Sequence, residues 1–166
     1  MPNHYDKDFD RDNLGGGGQN DVADLMIDAE EFKSKGDTFY ISSKFEQAHK
    51  AYEIARDLVI DHCLDVGRES MEARELKLQI VLALVESAYQ IGWWEDALVY
   101  AQEGIQMNNE IARLYHLHAK ALVGLENLHL AHVSLLKAKN LDGDNEDIQA
   151  DIGYVEQKIA DEEANQ

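Results

Sequence analysis

Four histidines between residues 116 and 132 come closest to a metal-binding pattern. They are His116, His118, His129 and His132, and the last two have the three-residue spacing at which imidazoles on one helix can share a metal ion. The helical pattern places the first two on another helix, with His118 at a packing position. No cysteine or carboxylate pair completes the set, so we expect no metal site and no cofactor. Protonation of the imidazoles predicts sensitivity of this region to mildly acidic pH.

Alternate residues from Asp6 to Asp12 are aspartates, a spacing that is typical of a calcium-binding loop. An EF-hand loop also needs a glycine and a closing glutamate, but Arg11 and Gly17 stand at those positions. We therefore interpret residues 1–20, which include four consecutive glycines, as a disordered acidic and glycine-rich tail.

No pattern of catalytic residues emerges from the sequence. The run from Gly15 to Gly18 is not followed by Lys and Ser or Thr, so it is not a phosphate-binding loop. Cys63 lies between Asp61 and Asp65, whose negative charges we expect to raise the thiol pKa and to disfavour a reactive thiolate. We expect a protein that is not an enzyme.

The overall charge restricts the partners. The 166 residues include 33 Asp and Glu against 15 Lys and Arg, a formal net charge of -18. Phosphate groups need a cationic surface, so nucleic acid and anionic membranes are not expected as partners. A single cysteine allows no disulfide framework, no apolar run suggests a membrane span, and no signal peptide is evident. We expect a cytoplasmic monomer.

The pattern from residue 21 onward is helical, because apolar and small residues recur three and four positions apart. Pro2 is the only proline, so the commonest helix breaker is missing from the rest of the chain. We predict an all-α fold with helices at about 22–41, 45–62, 69–91, 94–107, 110–123, 127–140 and 145–163.

The helices form pairs that recur with a period of 34 residues, which we call the repeat frame. Ala97 and Ala131 are 34 residues apart, and Ala48 and Ala97 are 49 apart, which is one such frame plus 15. Small residues at these positions let the helices of a hairpin approach closely, while larger residues fill the space around them. The small residues are Gly36, Ala48, Ala88, Ala97, Ala119 and Ala131, and the larger ones include Phe39, Tyr52, Trp94 and Leu128.

These units resemble a tetratricopeptide-repeat (TPR) domain, although the proline usual near each repeat end is absent. The resemblance implies a right-handed superhelix of three helix hairpins over residues 21–164, with repeats at about 29–62, 78–111 and 112–145. A helical insertion at 63–77 and a capping helix at 145–163 follow the arrangement in large immunophilins and related small TPR co-chaperones. On that cap, Ile148, Ile152, Val155 and Ile159 form one apolar side.

The resemblance also implies that the first helix of each repeat lines a concave groove. Some relatives hold the C-terminal carboxylates of heat-shock chaperones there with a clamp of lysine, asparagine and arginine side chains. The matching positions hold Lys33, Asp37, Ala83, Arg113 and Leu117, so only Lys33 and Arg113 keep the required charge. Each charge-assisted hydrogen bond lost costs roughly 1.5–3 kcal/mol, which predicts a degenerate clamp.

We therefore expect a non-catalytic interaction module that binds a protein or peptide in the groove, as a chaperone-associated adaptor. The groove cations either bind a peptide of mixed acidic and apolar character or simply balance nearby carboxylates. The alternative function is that of a structural assembly subunit, which would bind through Trp93, the convex face or the acidic cap. The candidate groove residues are Lys33, Asp37, Tyr40, Leu82, Glu86, Tyr89, Arg113, His116 and Lys120.

Overall fold

The structure of the protein, a computed structural model, describes residues 22–165, with side-chain burial described from residue 25. This range contains seven helices and no strand, so the all-α prediction is confirmed. The predicted tail at 1–20, with its run of aspartates, lies outside the described residues. The helices are α1 (Val22–Ile41), α2 (Phe45–Val66), α3 (Met71–Ile91), α4 (Trp94–Met107), α5 (Ala112–Gly124), α6 (Leu128–Leu141) and α7 (Glu146–Ala164).

The chain divides into two compact units, and the division between Lys77 and Leu78 falls inside α3. Among the described residues, unit 1 contains α1, α2 and the beginning of α3. Unit 2 contains the rest of α3 and the four helices that follow.

In unit 1, α1 and α2 pack closely because a glycine faces an aromatic ring. Gly36 is buried, and a Cβ atom there would overlap the ring of Tyr52. Ala48, Ala51 and Ala55 on α2 are fully buried as well. The predicted alternation of small and large residues in the first hairpin is therefore present in the structure.

The predicted insertion at 63–77 contains the end of one helix and the beginning of the next. Helix α2 runs to Val66, beyond the predicted end near residue 62. Gly67 stops it in a left-handed conformation (φ 71°), which glycine adopts without a steric penalty. After a short break, the Ser70 Oγ atom accepts a hydrogen bond from the Ala73 N–H at 3.1 Å and caps the N-terminus of α3.

The turns between paired helices repeat the frame seen in the sequence. Ser43, Gly92 and Glu126 have φ angles of 58°, 89° and 58°. They lie 49 and 34 residues apart, which is the spacing of Ala48, Ala97 and Ala131. In each turn the next residue donates a backbone hydrogen bond to the carbonyl five positions earlier. These bonds are Lys44 to Phe39 at 2.9 Å, Trp93 to Ala88 at 2.9 Å and Asn127 to Leu122 at 2.8 Å.

In unit 2, the apolar stripe of α7 is buried against α5 and α6. Ile148, Ile152 and Val155 join a core cluster with Ala119 and Leu135. The Asn145 Oδ1 atom accepts a hydrogen bond from the Ile148 N–H at 3.2 Å, so α7 begins with a side-chain cap. The burial of this stripe fixes which side of α7 faces outward.

The close contact at Gly36 generates a stability prediction. Gly36→Ala should lower the free energy of unfolding by about 1–3 kcal/mol, because its methyl group overpacks against the Tyr52 ring. The matched control is Gly153→Ala, at an exposed helical position where a Cβ meets nothing within 4 Å. That variant should be more stable by about 0.5–1 kcal/mol through helix propensity. Urea denaturation measures both, and equal effects would contradict the packing argument.

His118 generates a pH prediction. The side chain is half-buried, its Nδ1 atom lies 2.9 Å from the Ser134 Oγ, and burial lowers the imidazole pKa below its ordinary value of 6.5. The unfolded chain therefore binds a proton near pH 6.5, whereas the folded chain binds it only at a lower pH. The free energy of unfolding consequently falls as the pH drops through 6.5.

His118→Gln can keep a hydrogen bond to Ser134 but does not titrate. We expect its free energy of unfolding to fall less than that of the wild type between about pH 7 and pH 5, as measured by urea denaturation at each pH. His129→Gln is the matched control, because it makes the same substitution at an exposed histidine on α6, and the difference between the two slopes isolates the effect of burial at His118. Equal slopes for His118→Gln and the wild type would show that His118 does not carry the effect.

Candidate functional site

A cavity of about 170 Å³ lies on the side of unit 2 where α3, α5 and α7 meet. We call it the α7 pocket. Most of its wall is aliphatic or aromatic, with one lysine and one aspartate among the lining residues. It is lined by Tyr89, Ala119, Lys120, Val123, Leu135, Asp151, Tyr154 and Val155.

Two of the predicted groove residues, Tyr89 and Lys120, are neighbours in this wall. The Lys120 Nζ atom lies 5.2 Å from the centre of the Tyr89 ring, a cation–π distance. The Tyr89 ring also contacts Trp94 edge to face, with ring centres 5.5 Å apart. Trp94 is held at its predicted packing position, where a Cβ on Gly124 would overlap its indole. The Tyr89 ring in the α3 wall therefore packs against both Lys120 and Trp94.

A third predicted residue, His116, contacts α7. Its Nε2 atom lies 2.6 Å from the Asp151 Oδ2, and His132 Nε2 lies 3.0 Å from the Glu156 Oε1. These two pairs join α5 and α6 to α7, and the pair with His116 fixes the position of Asp151 in the pocket wall.

Within residues 22–165 there is no group of three or more His, Cys, Asp or Glu side chains that could hold a metal ion.

Arg113 and Glu86, both predicted for the groove, form an ion pair with each other. The Arg113 side chain remains 67% exposed, whereas Glu86 is half-buried. Burial raises the pKa of the Glu86 carboxyl, and the nearby Arg113 guanidinium opposes that rise. Leu82, the remaining prediction on α3, packs against the core cluster that contains Val85 and Ala97.

The three predictions in unit 1 also have local partners. The Lys33 Nζ atom lies 2.9 Å from the Asp37 Oδ2, and the Tyr52 hydroxyl donates to the other Asp37 oxygen at 2.9 Å. Tyr40 packs edge to face on Phe45, with ring centres 5.2 Å apart. Both cations that match the clamp pattern, Lys33 and Arg113, therefore have a carboxylate of this chain as partner.

Two lining residues of the pocket were missed by sequence reasoning. Asp151 and Tyr154 lie three residues apart on α7, which was treated as a cover for the last repeat with a charged outer face. Their spacing puts both on one side of the helix, next to the predicted apolar stripe. Their position next to the apolar stripe could have indicated that they lie at the edge of the core, close to a neighbouring helix.

Cys63 has a raised thiol pKa, as predicted, but the cause differs from the prediction. Burial is the main cause and the negative charge of Glu69 adds to it, while Lys77 opposes both. The expected contribution of the neighbouring aspartates is not among the causes.

No helix in the described part of the chain is long and apolar enough to cross a membrane.

Solved structures with a similar fold include several TPR domains and a bacterial secretion chaperone. The C-terminal TPR-containing domain of a Plasmodium falciparum FK506-binding protein superposes with a TM-score of 0.77 at 15% identity, over 88% of this chain and 97% of that chain. The first TPR of Spaghetti (RPAP3), solved with an HSP90 peptide, gives 0.66 at 15% identity over 81% and 95%.

The type III secretion translocator chaperone SycD of Yersinia enterocolitica gives a TM-score of 0.56 at 20% identity, over 88% of this chain and 98% of that chain. No protein-family model matches the sequence. At such identities the likeness carries the fold and nothing more. The fold of this chain is that of a tetratricopeptide-repeat domain.

Proposed function

We propose that this chain is a non-catalytic protein-interaction module that binds a peptide segment of a partner protein on the α3–α5–α7 side of unit 2. The observation that carries the proposal is the α7 pocket, an apolar concavity with a few polar groups at defined positions. Such a composition is typical of ligand sites. The RPAP3 domain, which shares the fold, is bound to a peptide of HSP90 in its solved structure.

The finer version of this proposal is a chaperone-associated adaptor with a degenerate carboxylate clamp. Its support is the pairing of the two clamp cations with carboxylates of this chain, Lys33 with Asp37 and Arg113 with Glu86. A ligand carboxylate must compete with Asp37 or Glu86 for its cation. We therefore expect chaperone C-terminal peptides to bind weakly, near the millimolar range.

Glu86→Gln tests the degenerate clamp. The amide removes the charge that holds Arg113, so the affinity for the peptide SRMEEVD should rise by about tenfold in a calorimetric titration. Glu95→Gln is the matched control, because Glu95 is an exposed carboxylate on α4 and the substitution changes the net charge equally. That control should leave the affinity near the wild-type value.

Two results would contradict the degenerate clamp. Micromolar binding by the wild type that Glu86→Gln does not change would mean that Glu86 does not restrain Arg113. Absence of binding in Glu86→Gln at millimolar peptide would remove chaperone carboxylates from the possible ligands. The same peptide with an amidated C-terminus distinguishes carboxylate recognition from contacts along the rest of the peptide.

Peptide binding itself is tested by selection from a random peptide library on the immobilised chain. We expect the selected peptides to bind about tenfold or more weakly to Tyr154→Ser, because Tyr154 lines the pocket and is 52% exposed. Val133→Ser on α6, at a position that is 62% exposed and outside the pocket, should bind them like the wild type. Recovery of no peptide, or binders insensitive to Tyr154→Ser, would contradict this function.

A structural assembly subunit is the second candidate, and exposed apolar residues on α6 favour it. Leu130, Val133 and Leu136 are 53%, 62% and 42% exposed. If this surface carries the function, a variant with Leu130→Ser and Val133→Ser should lose its partner while Tyr154→Ser keeps it. The peptide-binding proposal expects the reverse: Tyr154→Ser should lose the partner and the α6 variant should keep it. It also expects the chain to be a monomer by light scattering.

A further inference from the structure

Building on the proposed function, we propose that the α7 pocket is an anchor site for one phenylalanine-sized, uncharged side chain of the partner peptide. The residues that flank this anchor in the partner are basic. The occupant of the α7 pocket is a short segment with an aromatic side chain between lysines or arginines, and it differs from the acidic, carboxylate-ended peptides whose weak binding the degenerate clamp predicts.

The size of the pocket selects the anchor. Its volume of about 170 Å³ is slightly larger than the roughly 150 Å³ of an engineered apolar cavity that accepts benzene. A phenyl ring fits this volume, whereas a methyl group would leave most of it unfilled. Four aliphatic residues line the cavity, Ala119, Val123, Leu135 and Val155, and offer dispersion contacts to such a ring.

The lining also selects against a charged anchor. The Lys120 ammonium group already occupies a face of the Tyr89 ring at 5.2 Å, so a second cation entering the pocket would meet a like charge. An anionic anchor would meet the Asp151 carboxylate, which shares the wall. A charged anchor of either sign would thus meet one like and one opposite charge and would also lose its hydration, whereas burial of an uncharged side chain from water supplies binding free energy without that cost.

The surroundings of the pocket select basic flanking residues. Helix α7, one wall of the pocket, carries seven Asp and Glu residues and the single cation Lys158. Unit 2 as a whole carries fifteen Asp and Glu against five Lys and Arg. Arg113, a predicted anchor for acidic ligands, is paired with Glu86. A basic peptide is therefore attracted to this surface and an acidic one is repelled.

Capped tripeptides test the anchor without knowledge of the natural partner. We would titrate acetyl-Arg-Phe-Arg-amide into the full chain and follow the methyl NMR signals of Val123, Leu135 and Val155. These signals should shift and saturate in the millimolar range. Acetyl-Arg-Ala-Arg-amide and acetyl-Glu-Phe-Glu-amide should each bind at least about tenfold more weakly, because one lacks the anchor and the other has the wrong charge.

Val123→Phe fills the pocket with a side chain of the chain itself and should abolish the shifts at Leu135 and Val155. The matched control is Val99→Phe, the same substitution at an exposed position on α4, which should leave binding unchanged. If Val123→Phe lowers the thermal midpoint, Tyr154→Ala replaces it as a test at a half-exposed position. Equal binding of the phenylalanine and alanine peptides, or shifts that survive both pocket variants, would overturn the anchor.

The results separate this inference from the proposed function. Library peptides that bind to the wild type and equally to Val123→Phe would overturn the anchor and leave peptide binding standing. A library without binders, together with saturable pocket shifts from the phenylalanine tripeptide, would overturn the proposed function and leave a small apolar site. Stronger binding of the acidic tripeptide than the basic one would overturn the proposed charge preference.

Discussion

The candidate site depends on one packing interaction, the burial of the apolar stripe of α7 against α5 and α6. Ile148 and Val155 are each 1% exposed in the core that they share with Leu135. Burying side chains of this size stabilises the contact by roughly 1.5–3 kcal/mol each. Because the stripe fixes the rotation of α7, Asp151 and Tyr154 face α3 and α5 across the pocket. Helix α7 is thus a wall of the site as well as a cover for α5 and α6.

Charge pairing within each unit determines what kind of ligand the chain can attract. The pattern of cations resembles a carboxylate clamp, yet Lys33 pairs with Asp37 and Arg113 pairs with Glu86. His116 contacts Asp151 in the same way. Each of these contacts satisfies a positive or titratable group internally and leaves the surplus of acidic residues to set the surface potential. The structure therefore favours an uncharged anchor with basic neighbours over an acidic ligand.

The sequence predicted the helices well because the constraints that form them are local. Helical periodicity and the spacing of Ala48, Ala97 and Ala131 locate the hairpins, and the left-handed turns follow the same frame. The pocket was not predicted, because it depends on distances between side chains far apart in sequence. Asp151 lies 35 residues from His116, and no local pattern indicates that they meet. The sequence likewise indicated the wrong carboxylates for Cys63. The negative charge of Glu69 raises the thiol pKa, whereas the aspartates that lie closer in sequence are not among its causes.

The central claim is that a partner peptide lies along α3, α5 and α7, with a side chain in the pocket. The most direct measurement is paramagnetic broadening of the chain's NMR signals by a nitroxide placed at one end of a library-selected peptide. We predict the strongest broadening around Tyr89, Lys120 and Tyr154. Broadening centred on Leu130 and Val133 instead would place the ligand on the exposed surface of α6 and contradict the account.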